Sequence, residues 1–458
     1  MATHDIVVIG GGTAGLVTAA GAAALGARVA LIERERLGGD CLWTGCVPSK
    51  ALIAAARKRH LTGRDGWAEA ASWMRNARTR VAKHDDPERF RAMGVEVIVS
   101  RARLAGARRV ETDGRMLESK RIVIATGSSP TTPPIPGVEE AGYLTHLTAF
   151  EQETLPPRIT MLGGGPIGLE LAQTYARLGA KVTVLELLPE VLPNEDPEVG
   201  RFMRDRLVEE GITVRTGFSA AHVFRDGSTK VVCGANGERI AADELFVATG
   251  RRANTADLDA ERAGVALERG AVRVNARLET TQRGVWAAGD VTGGLQFTHV
   301  ADYMARIVVQ NALTPLKAKA SYRVVPWVTY TDPEVARVGM TEAQATALGE
   351  RVEVFRSDFA DLDRAIVDGA TAGFAKIVTR RDGRILGATI VGRGAGELIV
   401  EVVLAMRLGV PLQKLEGVIH PYPTMSEIVK RTAGTWYRQR YGDTFRGRLL
   451  RRLVRWWL

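Results

Sequence analysis

The sequence predicts an α/β chain: two Rossmann-like dinucleotide-binding units followed by an α+β domain. Two observations carry the first part. The turns Gly10-Gly11-Gly12-Thr13-Ala14-Gly15 and Gly163-Gly164-Gly165-Pro166-Ile167-Gly168 each follow a short apolar strand and open a helix. Each is followed by a strand ending on an acid, Glu33 or Glu186, and the interval from first glycine to acid is 23 residues in both copies (33 − 10 and 186 − 163). A third observation concerns the remainder. From about residue 321 no such turn recurs, strands alternate with turns such as Arg381-Asp382-Gly383, and residues 397–408 read as a helix with one apolar face.

Composition bounds the class. At 458 residues the chain can form several domains with their own cores. Its 45% hydrophobic and 25% charged content excludes a disordered or fibrous chain. Three cysteines exclude a secreted disulfide scaffold. No run of about 18 apolar residues occurs, so no membrane span is expected. Met1-Ala2-Thr3-His4 enters the strand Asp5–Ile9 with no basic or cleavable leader, which makes the cytoplasm the expected location.

In the first unit Gly10 permits the tight turn, Gly12 lets backbone approach a pyrophosphate, and Gly15 lets helix and strand pack closely. Thr13 and Ala14 open the helix whose N-terminus faces the phosphates. Glu33 is placed to accept from ribose hydroxyls, with Arg34 beside it. The second unit repeats this with Gly163, Gly165, Ile167, Gly168 and Glu186. Each copy later shows an apolar strand running into Ala-Thr-Gly, at Ala125-Thr126-Gly127 and at the residues ending on Gly250. The strand Val285–Ala288 runs into Gly289-Asp290, whose acid can hold a cofactor hydroxyl. Two such sites imply two dinucleotides. Between them, Trp67, Trp73 and Met74 are expected in the core of a helical segment over 57–94, and the Pro-rich run Thr131–Gly137 reads as a crossover between domains.

The segment Gly38-Gly39-Asp40-Cys41-Leu42-Trp43-Thr44-Gly45-Cys46-Val47-Pro48-Ser49-Lys50 contains two of the three cysteines. A regular helix would separate Cys41 and Cys46 by about 7.5 Å along its axis, whereas a disulfide needs α-carbons within about 7 Å. If the thiols bond, the segment must bend, which Gly38, Gly39 and Gly45 permit. Pro48 suits the first turn of the following helix. So short a loop gains little stability from a bridge, so a redox role is the better reading. Two unrelated buried cysteines, or half of a metal site, are the alternatives; no paired Cys or His elsewhere completes a metal site. Cys233 lies in a strand-like run and reads as a buried, inert thiol.

Cys-x4-Cys followed by Val-Pro-Ser-Lys, between the two glycine turns, resembles the flavin-dependent pyridine nucleotide-disulfide oxidoreductases, a family that includes dihydrolipoamide dehydrogenase, glutathione reductase and mercuric reductase. The resemblance runs to about residue 431. It implies an FAD-binding domain over 1–150 and 276–320, an NAD(P)-binding domain over 151–275, and a dimerisation domain over 321–441 that makes a homodimer. In that pattern Gly10, Gly12, Gly15, Glu33, Gly39, Asp40 and the Ala125–Gly127 turn contact FAD. Cys41 is the interchange thiol, Cys46 the flavin's charge-transfer partner, and Lys50 sits near the flavin and pairs with Glu170. Thr280 and Ala287-x-Gly289-Asp290 match the segment whose acid contacts the ribityl chain. A carboxylate at Glu186 repels a 2′-phosphate, and Leu187-Leu188-Pro189 brings no arginine, so NAD is favoured over NADP. Pro166 stands where glutathione reductase-like members carry a tyrosine gate.

One departure bears on substrate. Dithiol-exchanging members read His-x-His-Pro-Thr-x-x-Glu near the C-terminus, with the second His as base and the Glu orienting it. This chain reads His420-Pro421-Tyr422-Pro423-Thr424-Met425-Ser426-Glu427. Tyrosine, with an ordinary pKa near 10, is a poor base at neutral pH; His420 stands at the other, non-catalytic position. Mercuric reductase carries a Pro-Tyr-x-Thr-Met segment here, and Asp363-Arg364-Ala365-Ile366 also resembles that branch. Its C-terminal cysteine pair has no counterpart, since the last cysteine is Cys233.

The expected function is electron transfer from NADH through FAD to Cys41–Cys46 and on to a small or protein-bound disulfide or a soft electrophile such as a metal ion. The alternative is a membrane-associated electron carrier reducing a quinone or a partner protein. No resident metal is expected. Net charge is +10, and residues 434–458 supply seven arginines against one acid, Asp443. Over 442–458 the arginines and the apolar residues separate at helical spacing, which predicts a basic amphipathic helix. Residues 443–458 suit an anionic membrane surface at the inner face, or packing against a partner or a second copy of the chain. No nucleic-acid reading motif accompanies the charge.

Overall fold

Ile6–Ile9, buried at all four positions, is the middle strand of a five-stranded parallel sheet. Val29–Glu33 and Val95–Val99 lie to one side, Ile122–Ile124 and Val285–Ala287 to the other. Strands covered on both faces read as unbroken apolar runs, as Ile6-Val7-Val8-Ile9 and Ile122-Val123-Ile124 do. The helix Thr13–Ala24 covers one face, and its Gly21 leaves room for Val309 of the helix Thr298–Leu313. This computed structural model describes residues 3–63 and 66–458.

The second copy is built alike. Arg158–Leu162 leads through a turn to the helix Pro166–Leu178 and the strand Lys181–Leu185, in a four-stranded parallel sheet with Thr213–Arg215 and Glu244–Val247. Pro166 occupies the first helical turn, where a missing N–H costs nothing. Both sheets belong to one compact unit, which runs to Leu187 and resumes over Gly211–Ser321. Within it Trp67 and Met74 are buried, but Trp73 is half exposed. On the helix Trp67–Ala82 the core faces Trp67, Ala70, Ala71 and Met74, and helix phase places Trp73 outside that arc.

The second unit comprises Leu188–Glu210 and Tyr322–Leu458. Its five-stranded antiparallel sheet runs in the order Pro326–Thr329, Glu334–Gly339, Ile385–Gly392, Phe374–Arg380, Val352–Asp358. The helices Ala395–Leu408 and Glu427–Tyr441 bury Ile399, Val402, Ile428 and Val429 in the same core as Ile377 and Ile390. Residues 188–210 are fastened to this unit by charge: buried Lys376 reaches Glu198 at 2.6 Å, Glu342 at 2.9 Å and Asp196 at 3.2 Å. Among the described residues no helix is long and apolar enough to cross a membrane.

Candidate active site

The two glycine turns are near-replicas. Gly10 and Gly163 have φ of 110° and 109°, open to glycine and strained for other residues. A Cβ on Gly15 would collide with the Gly10 carbonyl oxygen, and one on Gly168 with that of Gly163. The acids close each turn in the same way: Gly11 N–H donates to Glu33 Oε2 and Gly164 N–H to Glu186 Oε2, both at 2.6 Å. Glu33 therefore stays at the strand end with its other oxygen accepting from Glu35 N–H at 3.0 Å.

The first turn opens on a cleft of about 1000 Å³, at the upper end of ordinary ligand sites. Gly10, Gly12, Thr13, Ala14, Glu33 and Arg34 line its nucleotide end. Ala125, Thr126, Gly127, Gly289 and Asp290 line its wall, and Gly39, Asp40, Lys50 and both site cysteines line its far end. Gly15 lies behind, in the helix–strand packing. Ile167 and Glu170 also face this cleft, whereas Gly163, Gly165, Gly168, Glu186 and Gly250 do not. At Gly165 and Gly250 a Cβ would meet nothing within 4 Å, so the second turn keeps an open backbone face of its own. A cleft with a helix N-terminus, an acid at the strand end and an acid at Asp290 fits FAD; the second turn with Glu186 fits a pyridine nucleotide.

The cysteine segment is bent as the bonding argument required. The short helix Gly39–Trp43 stops at Thr44, and a new helix, Cys46–Thr62, begins at the second cysteine. Gly38 and Gly39 have φ of 108° and 57°. Gly45 serves differently: its φ is ordinary, but a Cβ there would lie 2.8 Å from the Asp40 carbonyl oxygen. Both cysteines are free thiols and share a hydrogen bond. Donation from Cys41 holds the thiol of Cys46, an exposed residue on the cleft, down at about 6, helped by the Thr298 hydroxyl and the Lys50 ammonium. Cys41 is pushed up by the same hydrogen bond and by burial. The pair is thus split into one thiolate and one thiol. Lys50 Nζ in turn donates to Glu170 Oε2 at 2.8 Å.

Thr298, 3.4 Å from Cys46 Sγ, is a site residue that sequence reasoning missed; 252 positions separate the two and no local pattern marks it. Arg251 is another. It donates to Ser128 Oγ at 2.8 Å and to Asp40, and faces Asp290 at 3.8 Å. Ser128 Oγ donates to Asp290 at 2.7 Å. Arg251 directly follows the second Ala-Thr-Gly, and that position was the available signal. Cys233 is buried and lies outside the cleft.

His420, Tyr422 and Glu427 belong to the second unit, where each has a partner of its own. Tyr422 is exposed, and its hydroxyl donates to Asp363 Oδ2 at 2.7 Å, which raises its pKa above the ordinary value. The ring nitrogens of His420 face two acceptors, Val418 O at 3.0 Å and Glu401 Oε2 at 3.1 Å. Glu427 accepts from the Thr424 N–H at 3.4 Å.

The profile of the pyridine nucleotide-disulphide oxidoreductases matches residues 4–305, and that of their dimerisation domain matches residues 325–433. The chain belongs to the pyridine nucleotide-disulphide oxidoreductase family. It is accordingly a flavoprotein enzyme using FAD and NAD(P). Among relatives, the mercuric reductase of Bacillus cereus is 36% identical over 93% of this chain and 70% of its own length. The dihydrolipoyl dehydrogenase of Thermus scotoductus is 37% identical over 96% and 98%. In structure the chain is similar to the Cu(II) complex of the HOCl-induced flavoprotein disulfide reductase RclA from Escherichia coli. That likeness has a TM-score of 0.88 at 32% identity, covering 95% of this chain and 100% of that one.

Proposed function

We propose that this oxidoreductase draws electrons from NADH and delivers them through Cys46 and Cys41 to a soft metal ion or a disulfide, as a homodimer joined through the second unit. The reading rests on one observation: Cys41 and Cys46, both free, line the cleft on which the first glycine turn opens. FAD, when bound, supplies the two-electron relay between a nicotinamide hydride and a disulfide. The first turn and the N-terminus of Thr13–Ala24 would hold its pyrophosphate, Glu33 would accept from its ribose, and Asp290, held by Ser128 and Arg251, would accept from a further hydroxyl. At the second turn Glu186, fixed by Gly164 N–H, accepts from ribose hydroxyls and repels a 2′-phosphate.

The proton on Cys41 bears on the choice of acceptor. Attack by Cys41 forms a Cys41–substrate S–S bond, breaks the substrate's own and expels a substrate thiolate, so a base must take the Cys41 proton and pass it to that leaving thiolate. Tyr422, its pKa raised by Asp363, is ill suited to that task. A soft cation needs no such base, because metal binding itself displaces thiol protons. A metal ion is therefore the favoured acceptor. The mercuric reductase relatives and the Cu(II)-bound RclA support this assignment. The test is NADH oxidation by the purified flavoprotein with Hg(II), Cu(II), lipoamide and glutathione disulfide in turn. Metal-dependent turnover exceeding lipoamide turnover, and lost in both C41S and C46S, is expected. Turnover with lipoamide alone would overturn the metal assignment.

A further inference from the structure

We propose that the helix Phe445–Trp457 docks this enzyme in the plane of an anionic lipid bilayer. It lies beyond residue 433, where the match to the dimerisation domain ends. Its fold is self-contained: Thr444 caps it by accepting from Gly447 N–H at 3.1 Å, and Gly447 packs against the Tyr441 and Gly442 carbonyls, where any Cβ would collide. Arg448 and Arg451 donate back to the carbonyls of Asp443 and Gly442. The helix is thereby held at its start, while the rest of its surface stays uncovered.

What remains uncovered has two chemistries. Phe445, Leu449, Leu453 and Trp456 share one face, widened by Leu450, Val454 and Trp457. Trp456 and Trp457 are 83% and 84% exposed, and the leucines about half. Arg448, Arg451, Arg452 and Arg455 make up the opposite face, while Arg446, in the first turn, falls on the apolar side. The one acid nearby, Asp443, is engaged by Arg451 at 3.4 Å, and among the described residues Arg446, Arg452 and Arg455 pair with no acid. Five arginines in a 13-residue helix exclude a spanning role.

Charge chooses among occupants. A second copy would bring the same arginine-rich helix and repel it, on a chain already carrying +10. Nucleic acid would neutralise the guanidinium groups but leave the leucine and tryptophan face in water. An anionic bilayer satisfies both: phosphates meet arginine, apolar side chains enter the acyl boundary, and the tryptophans sit at headgroup level.

The test is co-sedimentation of the full-length flavoprotein with phosphatidylglycerol-rich vesicles and with pure phosphatidylcholine vesicles. Binding to the first, weakened by salt, and little to the second is expected. R452A/R455A should bind about 25-fold more weakly, at roughly five-fold per arginine, and L453S/W456S should lose binding. Both variants should keep their flavin and NADH oxidation without vesicles, because these side chains contribute nothing to the core. Failure of the parent protein to bind anionic vesicles would overturn the proposal, as would equal binding by the variants. So would L453S/W456S running as a smaller oligomer by light scattering, which would mark the face as a contact between copies.

Discussion

Lys50 Nζ donates to Glu170 Oε2 at 2.8 Å, joining the helix that begins at Cys46 to the helix that begins at Pro166. The two partners act on Cys46 with opposite sign: the ammonium favours the thiolate and the carboxylate opposes it. K50M should therefore raise the pH midpoint of Cys46 alkylation by about one pH unit, and E170Q should lower it. Iodoacetamide alkylation rates followed across pH would check both. Movement in the same direction would show that the pair acts only through packing.

The hydrogen bond from Cys41 is the largest contributor to the low value at Cys46. In the reduced protein, alkylation of Cys46 should rise with a midpoint near pH 6 while Cys41 stays unmodified at neutral pH. C41A should shift that midpoint upward toward an ordinary thiol near 8.5. T298A should shift it upward by less. Peptide mapping of the alkylated protein separates the two sites.

The paired turns predict separable losses. G15A forces a methyl against the Gly10 carbonyl and should cost about 1–3 kcal/mol and reduce flavin content. G168A makes the same collision at Gly163 and should spare flavin content while weakening NADH binding. Flavin absorbance per protein and an NADH titration distinguish them.

Glu186 holds the second turn and faces the nucleotide ribose in the proposed reading. E186Q keeps the side chain's size but removes the charge. It should lower kcat/KM for NADH about tenfold and raise the NADPH-to-NADH ratio. Steady-state kinetics with the two nucleotides check this; an unchanged ratio would remove Glu186 from nucleotide selection.

Replacing Tyr422 tests the missing base directly. Y422H should raise turnover with lipoamide, and Y422F should not. If neither variant changes it, the proton on Cys41 is not what limits disulfide exchange.

Lys376 offers a stability test. K376M leaves Asp196, Glu198 and Glu342 facing one another. It should destabilise the second unit by about 3 kcal/mol, the low end for a buried charge network because Glu198 and Glu342 keep contact with water. Thermal unfolding of the flavoprotein measures it.

Local patterns settled much of this protein. Glycine spacing, the acids 23 residues on, and unbroken apolar strands are short-range signals, so both dinucleotide turns, the Cys41–Cys46 bend and the amphipathic character of residues 445–457 were readable from the chain alone. Folding decided what sequence distance hides. Thr298 comes to Cys46 across 252 positions, Arg251 reaches Asp40 across 211, and residues 188–210 are drawn to the second unit by Lys376. Trp73 turned outward because helix phase, not hydrophobicity, assigns a face. Periodicity reports how a segment meets its neighbours; which thiol carries the charge depends on groups that only long-range packing brings within a few ångströms.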